Sequence, residues 1–344
     1  MMKKFIYKPL VITMGDPSGI SAEIIFNTWL NKKAIKPVSF FLIDDIFRLK
    51  KIRDFLKLKI PLNYVECPSQ VNTNFDKFLP IISINKKIDA SLSIPDKKNS
   101  KYIVNSIKKA IDYVINGDAL SIVTSPVSKK ILIESGFKYF GQTEFISKII
   151  SDKYKKKINE VMVLTTTKTL DNGRNLRVGL VTTHIPLKEV SKKLSKKLII
   201  QKSESFINFL EKEWKIKNPA VGICGINPHC GENGLIGTEE KEIIIPAINA
   251  LKKKHNISGP ISADTCFSKF QRKKYDGIIC TYHDQGLIPV KTLDFFNSVN
   301  VTGGLPIIRT SPDHGPAFDI AKDKKACNKS LIAAIKMAFN LSKS

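Results

Sequence analysis

Much that would betray a function at a glance is missing from this chain of 344 residues. Its six cysteines, Cys67, Cys224, Cys230, Cys266, Cys280 and Cys327, form no CxxC pair and keep no regular spacing, so neither a disulfide framework nor a zinc-finger module is expected. A reduced, cytoplasmic protein is the expectation. No run of about 18 uncharged apolar residues occurs, so no membrane span is expected. The opening MMKKFIYKPLVITMG is basic and then apolar, but Pro9 interrupts it and a glycine turn follows, which reads as a first strand and not a signal peptide. There is no GxGxxG fingerprint, no internal repeat and no low-complexity linker, which counts against an ordinary Rossmann dehydrogenase.

Acidic residues are also in short supply. Against 56 Lys and Arg stand 31 Asp and Glu, a formal charge of +25, yet only six of the basic residues are Arg. The lysines are scattered through SKKLSKKL, KKKH, QRKK and KDKK with little aromatic interleaving and no recognition-helix or RNA-binding signature. Together with abundant Ile and Asn, they point to a compositional bias, and no nucleic-acid partner is expected. Such a field would still draw anionic, phosphorylated small molecules toward the surface.

What is present is an alternation of apolar runs with segments of helical character, the pattern of a mainly parallel α/β sheet. PLVITMG, SFFLID, ALSIVTS, VMVLTTT, LRVGLVTTH, AVGICGIN and DGIICTY read as strands. Helices are expected over 19–31, 44–57, 99–117, 128–135, 143–153, 187–213 and 238–254. TLDNGRNLR carries Asn172-Gly173 and predicts a hairpin turn with antiparallel flanking strands. Segment 61–98 is the least regular. The length exceeds that of one hydrophobic core, so two α/β lobes are expected. Cys224, Cys266 and Cys280 lie in or near strand-like runs, where cysteine serves as a small core residue.

Three of the five histidines, His184, His229 and His283, each stand just past a β-branched apolar run: VGLVTTH, AVGICGINPH and DGIICTYH. In open α/β sheets ligands collect outside the carboxyl ends of the strands, so three such imidazoles can converge on one divalent metal with an open position, zinc first. For any one of them alone, a loop histidine with a local hydrogen bond is the plainer explanation. Cys230 directly follows His229 and is a weaker candidate for the same point. GDPSGISAE at 15–23 lies between a strand and a helix; Gly15, Asp16, Ser18 and Gly19 suit a tight capped turn as well as they suit an anion site.

GDPSGISAE, IVTSPVSK at 122–129, GQTEF at 141–145, TTHIPL at 182–187, GINPHCGENGLIGTEE at 225–240, and YHDQGLIPVK followed by GGLPIIRTSPDHGPAFDIA resemble, in order, the blocks of the 4-hydroxythreonine-4-phosphate dehydrogenase family. The resemblance runs nearly end to end. It implies an isocitrate/isopropylmalate dehydrogenase-like α/β fold of two α/β/α lobes with a cleft between them. The first lobe would be 1–126 plus 302–344 on the cofactor side, and the second 127–301 on the metal and dimer side, with boundaries good to about fifteen residues.

The implied reaction is NAD-dependent, divalent-metal-assisted oxidation and decarboxylation of 4-phosphohydroxy-L-threonine to 3-amino-2-oxopropyl phosphate in pyridoxal 5'-phosphate (vitamin B6) synthesis. By resemblance His184, His229 and His283 hold the metal (zinc, with magnesium or cobalt as alternatives), and a homodimer shares the site, one chain supplying the third histidine. His314, Gly315 and Asp319 of the HGPAFD loop would hold the adenosine half of NAD; a carboxylate at 319 accepts from ribose hydroxyls and repels a 2'-phosphate. The alternative for His314 and Asp319 is a capped turn leading into the last helix.

Gln142, Thr143, Lys291, Asn300 and Arg309 match substrate positions, with Lys291 expected on a Gly-Pro-containing loop. Where the family has GHTEF this chain has GQTEF, so the histidine is replaced by Gln142 and its titratable proton is lost. Asp264 and Asp284 are candidate proton acceptors or orienters of imidazole. Gln142 keeps a sister dehydrogenase in view, one acting on D-threonate or D-erythronate 4-phosphate. A non-redox zinc phosphohydrolase or aldolase would use the same histidines but leave HGPAFD without a role.

Overall fold

A computed structural model of the protein describes residues 7–139, 141–167, 170 and 176–343. Along residues 7–156 run β1 (Leu10–Ile12), α1 (Ser21–Leu30), β2 (Phe40–Asp44), α2 (Ile46–Phe55), β3 (Leu62–Tyr64), α3 (Val71–Asn74), β4 (Leu79–Ser83), α4 (Ser100–Ile115), β5 (Ile122–Val123), α5 (Lys129–Glu134) and α6 (Gln142–Tyr154). Residues 157–306 carry β6 (Val161–Thr166), β7 (Arg177–Leu180), α7 (Leu187–Lys193), α8 (Lys196–Glu213), β8 (Val221–Cys224), α9 (Ile245–Leu251), β9 (Ile257–Ile261), α10 (Ala263–Cys266), α11 (Lys269–Arg272), β10 (Gly277–Cys280), α12 (His283–Leu293) and β11 (Ser298–Gly303). β12 (Arg309–Pro312) and α13 (Lys329–Lys343) follow.

The chain divides into two compact units, 1–156 with 307–343, and 157–306. Residues 127–156, expected with the second lobe, belong to the first: α6 packs on α4, and Lys153 is ion-paired with Asp112. In the first unit the strand order is β3-β4-β2-β1-β5-β12 with parallel pairing throughout. Covered on both faces, its central strands read as apolar runs, LVI and FFLI, every residue buried. Phe26, Phe40, Phe41 and Phe75 fill the core, Phe40 meeting Phe75 edge to face at 5.0 Å between centroids.

In the second unit the order is β11-β6-β7-β10-β8-β9. β6 is antiparallel to both β7 and β11, whereas β7, β10, β8 and β9 run parallel. The antiparallel β6–β7 pair agrees with the expected hairpin; its Asn172-Gly173 turn lies outside the described residues. Met162, Leu164, Val178, Leu180, Cys224, Cys266, Ile278, Cys280 and Val290 form the core cluster, so the three cysteines do serve as small core residues. Among the described residues no helix is long and apolar enough to cross a membrane.

Several local expectations need correction. The helix expected over 187–213 is two: Leu194 is extended, and the Ser195 hydroxyl accepts from the N–H of Leu198, starting α8 afresh. The helix expected over 238–254 opens as a π-helical turn, Glu240–Ile244, and ends at Leu251. β3, β4, β9, β11 and β12 were not legible. β4, β9 and β12 contain proline, a strand-breaking signal, and β9 tolerates Pro260 because it is an edge. Lys291 is not on a loop: α12 runs through Gly286 and Pro289, and Lys291 lies in its last turn.

Candidate active site

The three histidine-bearing loops leave the carboxyl ends of β7, β8 and β10, which are parallel neighbours in the order β7-β10-β8. Adjacent strands lie about 4.8 Å apart, so side chains leaving neighbouring ends are within reach of each other. Thr182 ties the ends of β7 and β10 together, its N–H and hydroxyl both donating to the carbonyl of Thr281 at 3.2 and 2.8 Å. His184 and His283 accordingly face each other, ring centroids 5.5 Å apart. His283 is the first residue of α12, and its Nδ1 lies 2.7 Å from Asp284 Oδ1. That carboxylate fixes the ring and leaves Nε2 for another partner, the usual support of a metal-bound imidazole.

His229 is held differently. Residues 229–233 all have φ between 41° and 79°, left-handed backbone that costs about 1–2 kcal/mol for each non-glycine residue. Glu240, which the sequence reading passed over, holds this loop. It is 3 % exposed and accepts from the N–H groups of Ile226 and Asn227, both at 2.7 Å, and from Asn227 Nδ2 at 2.9 Å. Gln285, also unremarked, accepts from the N–H of Thr281 at 2.7 Å and donates to the carbonyl of Gly225 at 2.7 Å, locking the end of β10 to that of β8. Buried polar anchors of this kind have no periodicity to reveal them.

His229 Nδ1 lies 2.9 Å from Glu232 Oε1. The Ser262 hydroxyl, donating to Asp264 at 2.6 Å, and that histidine together hold the exposed Asp264 carboxyl below its usual range. Among the described residues no group of three or more His, Cys, Asp and Glu gathers as a metal site. Within one chain His184 faces His283, and His229 has Glu232 as its own partner. The donors suit a divalent ion, since both His229 and His283 have Nδ1 engaged and Nε2 available.

In the first unit Arg309 opens β12 and is 3 % exposed. Its Nε and Nη2 donate to Thr124 Oγ1 at 3.0 and 2.5 Å, and Nη1 donates to Thr143 Oγ1 at 3.2 Å. Burial lowers its pKa to about 10, which leaves it cationic at neutral pH. Gln142 and Thr143 form the first turn of α6, whose Gly141 cap offers no side chain to its free N–H groups. A buried guanidinium beside an uncapped helix N-terminus suits a carboxylate or phosphate. In the second unit Lys291 Nζ lies 5.7 Å over the ring of Phe295, and Asn300, on β11, has a buried Oδ1 with no hydrogen-bond partner among the described residues.

GDPSGISAE is resolved as a tight turn. Ser18 N–H donates to Asp16 Oδ1 at 3.0 Å, Ser18 Oγ to the carbonyl of Ile94 at 2.7 Å, and Ile20 N–H to the carbonyl of Pro316 at 3.0 Å. The turn is the seat of the HGPAFD loop: a Cβ on Gly19 would stand 2.5 Å from the Pro316 carbonyl oxygen, so only glycine permits this approach. In that loop His314 Nδ1 lies 2.9 Å from the carbonyl oxygen of Gly315, space around the Gly315 Cα is open, and Asp319 is exposed. α13 starts only at Lys329, so Asp319 does not cap the last helix. An open glycine, an oriented imidazole and an exposed carboxylate fit the adenosine half of a dinucleotide.

Residues 39–338 match the family described as "Pyridoxal phosphate biosynthetic protein PdxA". The chain belongs to the PdxA family. A 4-hydroxythreonine-4-phosphate dehydrogenase of Zymomonas mobilis is 39% identical over 337 residues, 97% of this chain and 95% of that protein. Crystal structures of PdxA-family proteins named 4-hydroxythreonine-4-phosphate dehydrogenase, from Klebsiella pneumoniae and Burkholderia phymatum, align with TM-scores of 0.81 and 0.76. They are 30% and 32% identical to it and cover 98% and 97% of this chain, with 99% and 98% of their own chains covered.

Proposed function

We propose that the protein is a 4-hydroxythreonine-4-phosphate dehydrogenase of vitamin B6 synthesis, with the isocitrate/isopropylmalate type of fold. It would convert 4-phosphohydroxy-L-threonine and NAD to 3-amino-2-oxopropyl phosphate, carbon dioxide and NADH. The observation that carries the reading is the His184–His283 pair at adjacent strand ends, one ring braced by Asp284, in a chain of this family. A divalent ion held by His184, His229 and His283 would lower the pKa of the substrate's C3 hydroxyl and stabilise the charge left by decarboxylation, while NAD takes up the hydride.

The remaining work belongs to the chain itself. Asp284 orients His283, and Asp264 and Asp284 are the candidate proton acceptors. Arg309 and Thr143 hold an anionic group of the substrate, Lys291 a second, and Asn300 supplies a free acceptor. His314, Gly315 and Asp319 receive NAD, with the carboxylate disfavouring a 2'-phosphate. The complete metal site is read as shared in a homodimer, one chain supplying the third histidine, as the family resemblance implies. Exposed Leu235, Phe270 and Ile288 of the second unit offer the apolar surface such a dimer needs.

The test is NADH formation by the purified protein with 4-phosphohydroxy-L-threonine and with D-threonate and D-erythronate 4-phosphates, across a panel of divalent metals. Turnover of the amino acid with NAD, lost on chelation, is expected. Turnover of a hydroxy acid alone would transfer the chain to the sister dehydrogenases, the second reading that Gln142 keeps open.

A further inference from the structure

A buried ion pair supports the GDPSG turn. Asp44 ends β2 and is fully buried, and Arg48, in the first turn of α2, is buried with it. Arg48 meets the carboxylate in bidentate fashion, Nε donating to Oδ1 at 3.1 Å and Nη2 to Oδ2, while Asp44 Oδ1 also accepts from the N–H of Asp45 at 2.7 Å. The fork has one more direction to use, and Nη1 donates to the carbonyl of Pro17 at 3.2 Å. Its charge also acts on the buried Asp16 beside Pro17. Burial pushes the Asp16 carboxyl up, and the N–H of Ser18, the Arg48 cation and the N–H of Ser128 draw it down. One guanidinium thus serves two carboxylates and a turn carbonyl.

We propose that Arg48 is a positioning residue for the adenosine half of NAD, holding the GDPSG turn so that the HGPAFD loop keeps its receiving shape. The inference rests on the dinucleotide reading of that loop. The path between them is short. Arg48 fixes the carbonyl of Pro17, Ile20 N–H donates to the carbonyl of Pro316 at 3.0 Å, and Pro316 directly follows Gly315. Gly19 lies so close to Pro316 that a Cβ would collide with it, and contacts packed this tightly pass a shift of the turn on to the loop. On its other side the turn is held by segment 84–99, Ser93 N–H donating to the carbonyl of Ser18 at 2.8 Å. Lysine at 48 would keep a charge opposite Asp44, but an ammonium has no planar fork to serve carboxylate and carbonyl together.

Wild type, Arg48→Lys and the double variant Asp44→Asn/Arg48→Gln, which removes both buried charges together, are titrated calorimetrically with NAD, AMP and 4-phosphohydroxy-L-threonine. Amide exchange is followed in the ligand-free proteins. Arg48→Lys should weaken NAD and AMP about tenfold, raise the KM for NAD alike with kcat unchanged, and leave the binding of 4-phosphohydroxy-L-threonine as it was. Exchange at the Ile20 N–H should quicken, and the double variant should behave in the same way. Equal weakening of all three ligands would leave Arg48 a structural role only and overturn the inference, as would unchanged NAD and AMP binding in the variants. A wild type that binds neither NAD nor AMP would remove the dinucleotide reading and the inference with it. The expected losses of NAD and AMP in a protein that forms no NADH would support the inference and sink the dehydrogenase reading instead.

Discussion

Arg309 shows how one buried side chain carries both charge and geometry. Its Nε and Nη2 donate to Thr124 and its Nη1 to Thr143, threonine hydroxyls that orient the fork. Burial lowers its pKa to about 10 and still leaves it charged. Lysine starts lower, so the same desolvation would bring an ammonium here toward the neutral to mildly alkaline range, and it has no fork to span Thr124 and Thr143. Arg309→Lys is therefore expected to lose about 10–100-fold in kcat/KM at pH 7, roughly 1.4–2.7 kcal/mol. The loss should deepen as pH rises, because the charged form is the one that desolvation disfavours. A variant whose KM is flat between pH 7 and 9 would contradict this. The sequence singled out Arg309 as an arginine in an apolar setting; its hydroxyl partners, 166 and 185 residues away along the chain, were beyond any local reading.

At the scale of elements, Glu240, in the π-turn ahead of α9, anchors the segment leading into the left-handed run at 229–233 by accepting from the backbone N–H groups of Ile226 and Asn227. Glu240→Ala would leave those donors buried without a partner, and a loss of about 2–5 kcal/mol is expected in urea unfolding. Glu240→Gln should cost less, since an amide oxygen still accepts. Both should bind metal more weakly than wild type in competition with a chelator, through displacement of His229. Unchanged metal affinity in a destabilised Glu240→Ala would separate the loop from the metal. α12 teaches a related lesson. Gly286 and Pro289 signalled a loop, but Gly286 is required for contact: a Cβ there would stand 2.8 Å from Leu180 Cδ2 and Val178 Cγ1, so packing against β7 overrides local propensity.

For the whole molecule, a metal site shared across a homodimer predicts complementation between inactive subunits. His229→Ala and His283→Ala should each be inactive alone. Mixed after reversible dissociation, they should recover about a quarter of wild-type activity, because half the dimers would be hybrid and each hybrid would hold one intact site. Sedimentation should show a dimer throughout. No recovery in verified hybrids would place all three ligands within one chain.

From the sequence alone came the α/β class, the strand-end positions of the three histidines, the core cysteines and the family, since periodicity and ordered blocks are properties of the chain itself. What only the tertiary structure decided is which of these residues meet. The neighbourhood of β7 and β10 brings His184 to His283, a buried carboxylate sets His229 in its own turn, and segment 127–156 joins the first unit by packing on α4. The Gln142 amide is turned by a carbonyl at the end of β5. Each of these depends on contacts between segments far apart in the chain, and a local pattern of residues cannot encode the partner it will find.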